Sequence, residues 1–426
     1  MVIHTVKQGE TIYSIAQEYG VGVGLILEIN GLNESETLLV GQSILILFPE
    51  VTHRVRENET LYSIAINYGV TVKELLRNNP SLIGNPYIRE GDEIVISYSD
   101  EKLGTVETNG YAYPYVDDDI LIQSLPYMTY LSPFTYGITE EGGLVPLEDE
   151  ELIRFANDYS VMPLMHLSTL TREGGFSNEL ASVVLNSPEL RANLVNEIIN
   201  TINQKGYGGI DIDFEFIFAA DAEEYASFIQ QLRDALSPRG LRVYSALAPK
   251  TSDTQRGSLY EGHNYQLIGD ASDAVLLMTY EWGYTYGPPM AVAPINSVRR
   301  VLEYALTRIP ANKIFLGIPN YGYDWTLPFV QGESRADSIS NPEALELARR
   351  YNREILFDTA SMTPHFNYRD ESGREHEVWF EDVRSMKAKY DLVQEFSLKG
   401  MGYWNLMRPF EQNWSLLNAM FNIYSF

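Results

Sequence analysis

The spacing of apolar residues changes character near residue 100. Before that point short helical patterns dominate. Ile12, Ile15, Ala16 and Tyr19 recur at helical spacing behind a Gly9-Glu10-Thr11 turn, and Gly20 is a stop signal. The pattern then returns: His4 to Val21 aligns without gaps on His53 to Val70, an offset of 49 residues. With one residue inserted, Ile29-Asn30-Gly31 matches Asn78-Asn79-Pro80, and Val40-Gly41-Gln42 matches Glu90-Gly91-Asp92. Each unit, 1–48 and 52–97, reads as strand, helix, helix, strand, with Ser43 to Leu47 closing the first. At this spacing Tyr13, Tyr19, Tyr62 and Tyr68 are expected to pack into the core.

Residues 98–107 carry no apolar period and read as a linker. From 108 to 426 short runs rich in Val, Ile and Tyr alternate with helical patterns, the sequence form of a parallel α/β architecture. Eight strands are predicted: Gly110 to Pro114, Tyr130 to Ile138, Val161 to Thr169, Gly208 to Phe216, Arg242 to Lys250, Asp273 to Trp282, Lys313 to Gly322 and Gly400 to Met407. Helices such as 188–204, 222–236, 295–308 and 382–395 lie between them. The expected fold class is α/β, a (β/α)8 TIM barrel preceded by two small βααβ modules. A small α+β insertion is expected at about 327–380. In it, Phe366-Asn367-Tyr368 and Val378-Trp379-Phe380 flank a Gly-containing turn and predict a hairpin that walls one side of a cleft.

Charge narrows the choice of partner. The formal net charge is −27, with 6 basic against 13 acidic residues in 1–100 and 25 against 45 in the remainder. Neither part offers the basic surface that a phosphate backbone requires, so nucleic acid is excluded. There is no Cys, which removes disulfides, thiolate metal sites and a Cys nucleophile. Residues 1–11 lack a charged n-region and an apolar h-region, so no cleaved signal peptide is expected, and no run is long enough to span a membrane. The six His lack metal-ligand spacing and no dinucleotide or phosphate motif occurs, so no cofactor and no metal are implied.

The most informative stretch is Gly208-Gly209-Ile210-Asp211-Ile212-Asp213-Phe214-Glu215. On a strand Asp211, Asp213 and Glu215 share one face, and Ile210, Ile212 and Phe214 share the other. Three acids inside a barrel are costly as structure, because buried like charges must share protons or find partners. Crowding raises at least one pKa, which keeps a carboxyl protonated near neutral pH for use as a general acid. Glu215, nearest the C-terminal mouth where barrel sites lie, is the expected acid. No second carboxylate is expected across the barrel as a nucleophile.

Two resemblances attach to these residues. The run from Gly9-Glu10-Thr11 through Tyr13-Ser14-Ile15-Ala16 to Asn30 and Gly41-Gln42 resembles the LysM module, and the second copy does so as well. The resemblance implies binding of N-acetylglucosamine polymers in a groove lined by Gly9, Glu10, Thr11, Ile29 and Asn30. In the second copy the matching residues are Asn58, Glu59, Thr60, Asn79 and Pro80. Residues 108–426 resemble the family 18 glycoside hydrolases, whose fourth strand carries Asp-Gly-x-Asp-x-Asp-x-Glu. Here Gly208 replaces the first Asp. Met278-Thr279-Tyr280-Glu281 looks like the sixth-strand Met-x-Tyr-Asp motif with Glu281 for Asp, and Gly402-Tyr403-Trp404 like the eighth-strand Trp segment.

What this resemblance implies is specific. Glu215 protonates the leaving oxygen, Asp213 orients the substrate's 2-acetamido group, Asp211 shares a proton with Asp213, and Tyr280 hydrogen-bonds the acetamido carbonyl. Trp404 forms the floor beneath the sugar, and Met278, Glu281, Asn320 and Tyr321 are further candidates for substrate contact. Trp325 and His166 could line the groove or be satisfied within the fold. The combination is similar to LysM-bearing family 18 enzymes of endospore-forming bacteria. It implies a retaining N-acetylglucosaminidase acting on peptidoglycan of the spore cortex during germination. The implied location is the spore outer layers, coat or exosporium, with spore coat proteins as further partners. Chitinase action on chitin oligomers and a non-catalytic glycan-binding coat protein are the alternatives.

Overall fold

Each N-terminal module is built by the same local rules applied twice. In the computed structural model, which describes residues 1–426, Val2–Thr5 pairs antiparallel with Ser43–Ile46, and Pro49–Arg54 pairs with Glu93–Tyr98. Helices Ile12–Tyr19 and Val23–Asn30 fill the first module, Leu61–Tyr68 and Val72–Asn78 the second. Thr11 and Thr60 start their helices through reciprocal bonds with Ser14 and Ser63, a capping box in each copy. Gly9 sits at φ 85° and Asn58 at φ 65° in the equivalent turn. Asn is the side chain that best tolerates this left-handed region, so the substitution preserves the turn.

Two expectations about the modules fail. Tyr13 and Tyr62 are 56% and 68% exposed, and Tyr68 is largely exposed as well. Tyr13 and Tyr62 each follow a buried residue, Ile12 or Leu61, and one step along a helix turns about 100° away from the buried stripe. Only Tyr19 stays half-buried on the stripe, its hydroxyl 3.1 Å from Nδ1 of His4. The linker is also shorter than 98–107, because one strand runs to Tyr98 and the next begins at Thr105.

The barrel has eight parallel strands. They are Thr105–Ala112, Tyr130–Pro133, a third in two segments (Met162–Pro163 and Met165–Ser168), Gly209–Asp213, Arg242–Leu247, Ala274–Leu277, Ile314–Pro319 and Gly400–Trp404. The eighth pairs with the first and closes the ring. Several strands stop short of the expected ends, the fourth at Asp213 instead of Phe216 and the sixth at Leu277 instead of Trp282. Residues at and just beyond these ends, Asp213 and Glu215 at the fourth strand and Met278 and Tyr280 at the sixth, line a cleft at the C-terminal mouth.

The insertion begins at Gly322, because the seventh strand ends at Pro319. It is a five-stranded antiparallel sheet with the helix Asn341–Arg350. The expected hairpin is Thr363–Arg369 paired with Glu375–Trp379.

The modules are packed against the barrel. Ile29, Leu45, Leu47, Val95 and Tyr98 belong to the same continuous apolar core as the barrel strands. The C-terminal helix Glu411–Met420 lies along both modules: Gln412 Nε2 donates to Asn30 Oδ1 (2.8 Å) and Ser43 O (2.9 Å), and Asn418 Nδ2 to Asn78 Oδ1 (2.8 Å). The insertion holds the first module too, through Arg349 and Glu36 at 2.6 Å.

Candidate active site

Strand alternation places the acids. Ile210, Ile212 and Phe214 are fully buried on the helix side, with Phe214 stacked on Tyr225 at 5.6 Å. Asp211 and Asp213 point inward and are 1% and 9% exposed. Glu215 lies past the strand end in a turn, followed by Phe216 at φ 57°. It nevertheless lines the same cavity as Asp213, a cleft of about 350 Å³ with Tyr280, Met278, Glu281, Trp282 and Trp404 among its walls.

The acids differ in their partners. Asp211 Oδ2 accepts from Tyr111 Oη (2.7 Å), Asn109 Nδ2 (3.3 Å) and Ser132 Oγ (3.3 Å). Oδ1 of Asp211 and Oδ1 of Asp213 are buried with no hydrogen-bond partner. Burial pushes the carboxyls of Asp211 and Asp213 above the usual carboxylate range. Glu215 is lifted by burial first, then by the negative charges of Asp213 and Glu281. The Tyr280 side chain is buried, its hydroxyl makes no hydrogen bond in the protein, and its pKa is raised by burial and by the surrounding acids. A protonated carboxyl and an unpartnered phenol thus face the same 350 Å³ cleft, ready to donate to something placed there.

His166 is wholly buried beneath this group, its Nδ1 2.8 Å from Thr135 Oγ1 and its Nε2 3.6 Å from Asp213 Oδ2. Burial lowers its pKa to about 4, so it is neutral at pH 7 and is a packed support, not a sugar contact. Gly208, where the family pattern has Asp, has no room for one: a Cβ there would fall 2.2 Å from the Met162 side chain. Trp404 stands half-buried at the cleft floor, 4.8 Å from Phe134.

Several expected contacts lie elsewhere. Asn320 is 2% exposed and lines neither cleft pocket, because its amide donates to the Asn405 and Arg408 carbonyls at 3.0 and 2.9 Å. Trp325 is core, its indole bonded to Gly287 O at 2.8 Å. Tyr321 does line the cleft, in an adjoining pocket, with its hydroxyl donating to Glu281. Glu281 also accepts from Tyr323 at 3.0 Å. Glu281 is therefore a third carboxylate facing the cleft, beside Asp213 and Glu215, although two tyrosine hydroxyls hold it.

The expected groove residues of the modules divide the same way. Ile29, Asn30, Asn79 and Pro80 are buried, so they are not free to meet a glycan. Asn30 bonds Ile26 O, Leu45 O and Leu45 N, and Asn79 bonds Leu75 O, Val95 O and Val95 N. Both asparagines clasp the closing strand. Glu10 and Glu59 hold His4 and His53 at 2.8 and 2.7 Å. Gly9, Thr11, Asn58 and Thr60 remain exposed.

Cleft residues absent from the sequence reading include Tyr113, Phe134, Phe176, Tyr260 and Arg408. Tyr111 and Tyr113 carried a usable signal, the period-two placement at the end of the first strand. Phe176 and Tyr260 sit on loops and had none.

Comparison with known proteins agrees with this geometry. The family model "Glycosyl hydrolases family 18" matches residues 165–408, and the LysM domain model matches 4–47 and 53–97. The chain is 40% identical to the cortical fragment-lytic enzyme of Bacillus subtilis (strain 168), with 99% of each chain covered. It superposes on the crystal structure of the Bacillus cereus spore cortex-lytic enzyme SleL with a TM-score of 0.84 at 35% identity, covering 100% of this chain and 98% of that one. The enzyme of the same name from Bacillus megaterium QM B1551 gives 0.84 at 38%, covering 100% and 99%. These domains mark N-acetylglucosamine-containing glycans as what the protein binds. The chain is a glycoside hydrolase and belongs to glycosyl hydrolase family 18, with two LysM domains packed against its catalytic barrel.

Proposed function

We propose that the protein is a retaining N-acetylglucosaminidase that cuts peptidoglycan fragments of the spore cortex by substrate-assisted catalysis. The observation that carries this reading is the set of unpartnered polar groups on one cleft: Glu215, Asp213 Oδ1 and the Tyr280 hydroxyl. Glu215, held protonated, gives its proton to the leaving oxygen. The substrate's acetamido oxygen attacks the anomeric carbon while Tyr280 hydrogen-bonds that oxygen and Asp213 takes the amide N–H. Asp211 and Asp213, whose Oδ1 atoms are both orphaned, share a proton as charge moves. Water then opens the cyclic oxazolinium intermediate with Glu215 as base. Trp404 supplies the floor beneath the sugar.

The substrate class is supported by relatives named for the spore cortex that match this chain over nearly its whole length. Exposed module residues, Gly9, Thr11, Asn58 and Thr60, keep the enzyme on the glycan. On this reading the enzyme acts during germination and resides in the outer layers of the spore, coat or exosporium, beside coat proteins. No helix is long and apolar enough to cross a membrane.

Asp213 and Glu281 give the mechanism its sharpest test, because they are the carboxylates besides the acid that line the cleft, and a protein nucleophile would have to be one of them. A thiazoline mimic of the cyclic intermediate is expected to inhibit competitively, and Asp213→Asn and Tyr280→Phe to weaken it and slow turnover together. Proton NMR of fresh product should show retained configuration. A glycosyl ester trapped on Asp213 or Glu281 overturns substrate assistance.

A further inference from the structure

The catalytic cleft continues into a second pocket of about 380 Å³, and Tyr113, Glu281 and Trp404 line both. Glu215 lines only the first. A general acid stands on the leaving-group side of the bond it cleaves. The second pocket therefore receives the sugar on the other side, the one preceding the sugar on Trp404.

Its walls are aromatic: Tyr113 and Tyr115 stack at 5.2 Å, with Tyr321 and Tyr323 nearby. Arg408 is the one basic side chain lining either pocket. Its hydrogen bonds go to neutral oxygens alone, Nη1 to Ser338 Oγ (3.0 Å) and Ile339 O (2.8 Å), and Nη2 to Ser338 O (3.1 Å). Nε–H and the second Nη2–H have no protein partner. These two hydrogens lie parallel on one edge of the guanidinium, the fork that meets a carboxylate in two bonds. The turn that carries Arg408 is fixed from below by Asn320, and its cation lies 5.9 Å from the Tyr321 ring. In a protein of net charge −27, an anionic substituent has no other cation in this cleft to meet.

We propose that this pocket is a subsite for a carboxylate-bearing sugar, in which Arg408 binds the carboxylate on the O3 substituent of a muramic residue. The proposal rests on the peptidoglycan reading above, because chitin carries no such group. Arg408 would then be the residue that separates the two glycans.

The test uses the full chain and soluble oligosaccharides alternating N-acetylglucosamine and N-acetylmuramic acid, in three forms. The lactyl carboxyl is free, capped as a methylamide, or extended by one alanine with a free carboxylate. The wild type is expected to show kcat/KM about tenfold higher on the free acid than on the methylamide, mainly through KM, an advantage that shrinks as salt rises. If the alanyl form matches the free acid, the peptide carboxylate also reaches Arg408; if it matches the methylamide, the lactyl carboxylate is the ligand. Arg408→Gln should erase the difference and Arg408→Lys retain part of it, since Lys offers a point charge without the fork. Because Arg408 also steadies the insertion, the wild-type ratio and its salt dependence stand on their own should the Gln variant misfold. Equal cleavage of all three forms overturns the Arg408 assignment and leaves the peptidoglycan reading in place. Refusal of all three, with chitin oligomers cut, overturns both.

Discussion

Two sets of buried polar side chains, the module asparagines Asn30 and Asn79 and the acids on the floor of the catalytic cleft, are treated oppositely. In the modules, Asn30 makes four bonds and Asn79 three, and every one is to a named protein partner. In the cleft, Asp211 and Asp213 each leave an oxygen orphaned, and Glu215 and Tyr280 have no bond at all. A buried polar group without a partner costs about 1–3 kcal/mol, so a fold keeps one where a ligand completes it. Asparagines in a family motif can thus be structural, while the cleft acids are left open to a ligand, and the hydrogen bonds separate the two.

The largest expected effect breaks the seam between the modules and the barrel. Deleting residues 1–97 strips the cover from Trp414, Met420 and the rest of the shared core. The truncated barrel is expected to aggregate on expression. A soluble, active barrel would show that the modules are merely tethered.

Next in size is the cleft. Glu215→Gln should lower kcat on soluble fragments by roughly 10²–10⁴-fold while substrate still binds, checked by turnover and calorimetry.

A smaller effect lies within the second module. Asn79→Ala leaves the Val95 N–H and C=O without their partner and should cost about 1–3 kcal/mol in denaturant unfolding, with activity at low denaturant retained. If the stability is unchanged, the clasp is ornamental.

The smallest effects are pH shifts. The negative charge of Glu281 helps hold Glu215 protonated, so Glu281→Gln should move the alkaline limb of kcat/KM to lower pH. A linked effect appears in stability. Glu215 has a folded-state pKa above its unfolded value, so it favours the fold below the unfolded pKa and this contribution is lost as pH rises through the folded pKa. Glu215→Gln should therefore unfold at a higher temperature than the wild type at alkaline pH, and the gap should close in acid. A gap that widens in acid would reverse the assignment.

Much of this was legible in the chain. The repeat, the eight strands and the inward acids follow from periods of 3.6 and 2, which depend on neighbours a few residues away. Glu215 faces the cleft as expected, but from a turn beyond the strand and not from the strand itself. Tyr13 and Tyr62 were misplaced because an aromatic residue one step off a helical stripe looks apolar in sequence and faces solvent in space.

What the sequence determined by itself was therefore local: the capped helices, the alternating strand and the identity of the acids. What only the tertiary structure decided was which polar groups meet partners. Asn30 lies 382 positions from Gln412, Asp211 lies 100 from Tyr111, and Glu281 lies 40 from Tyr321. Whether a side chain is satisfied or free depends on groups that only folding brings together, and in this protein that difference divides the module asparagines from the acids of the site.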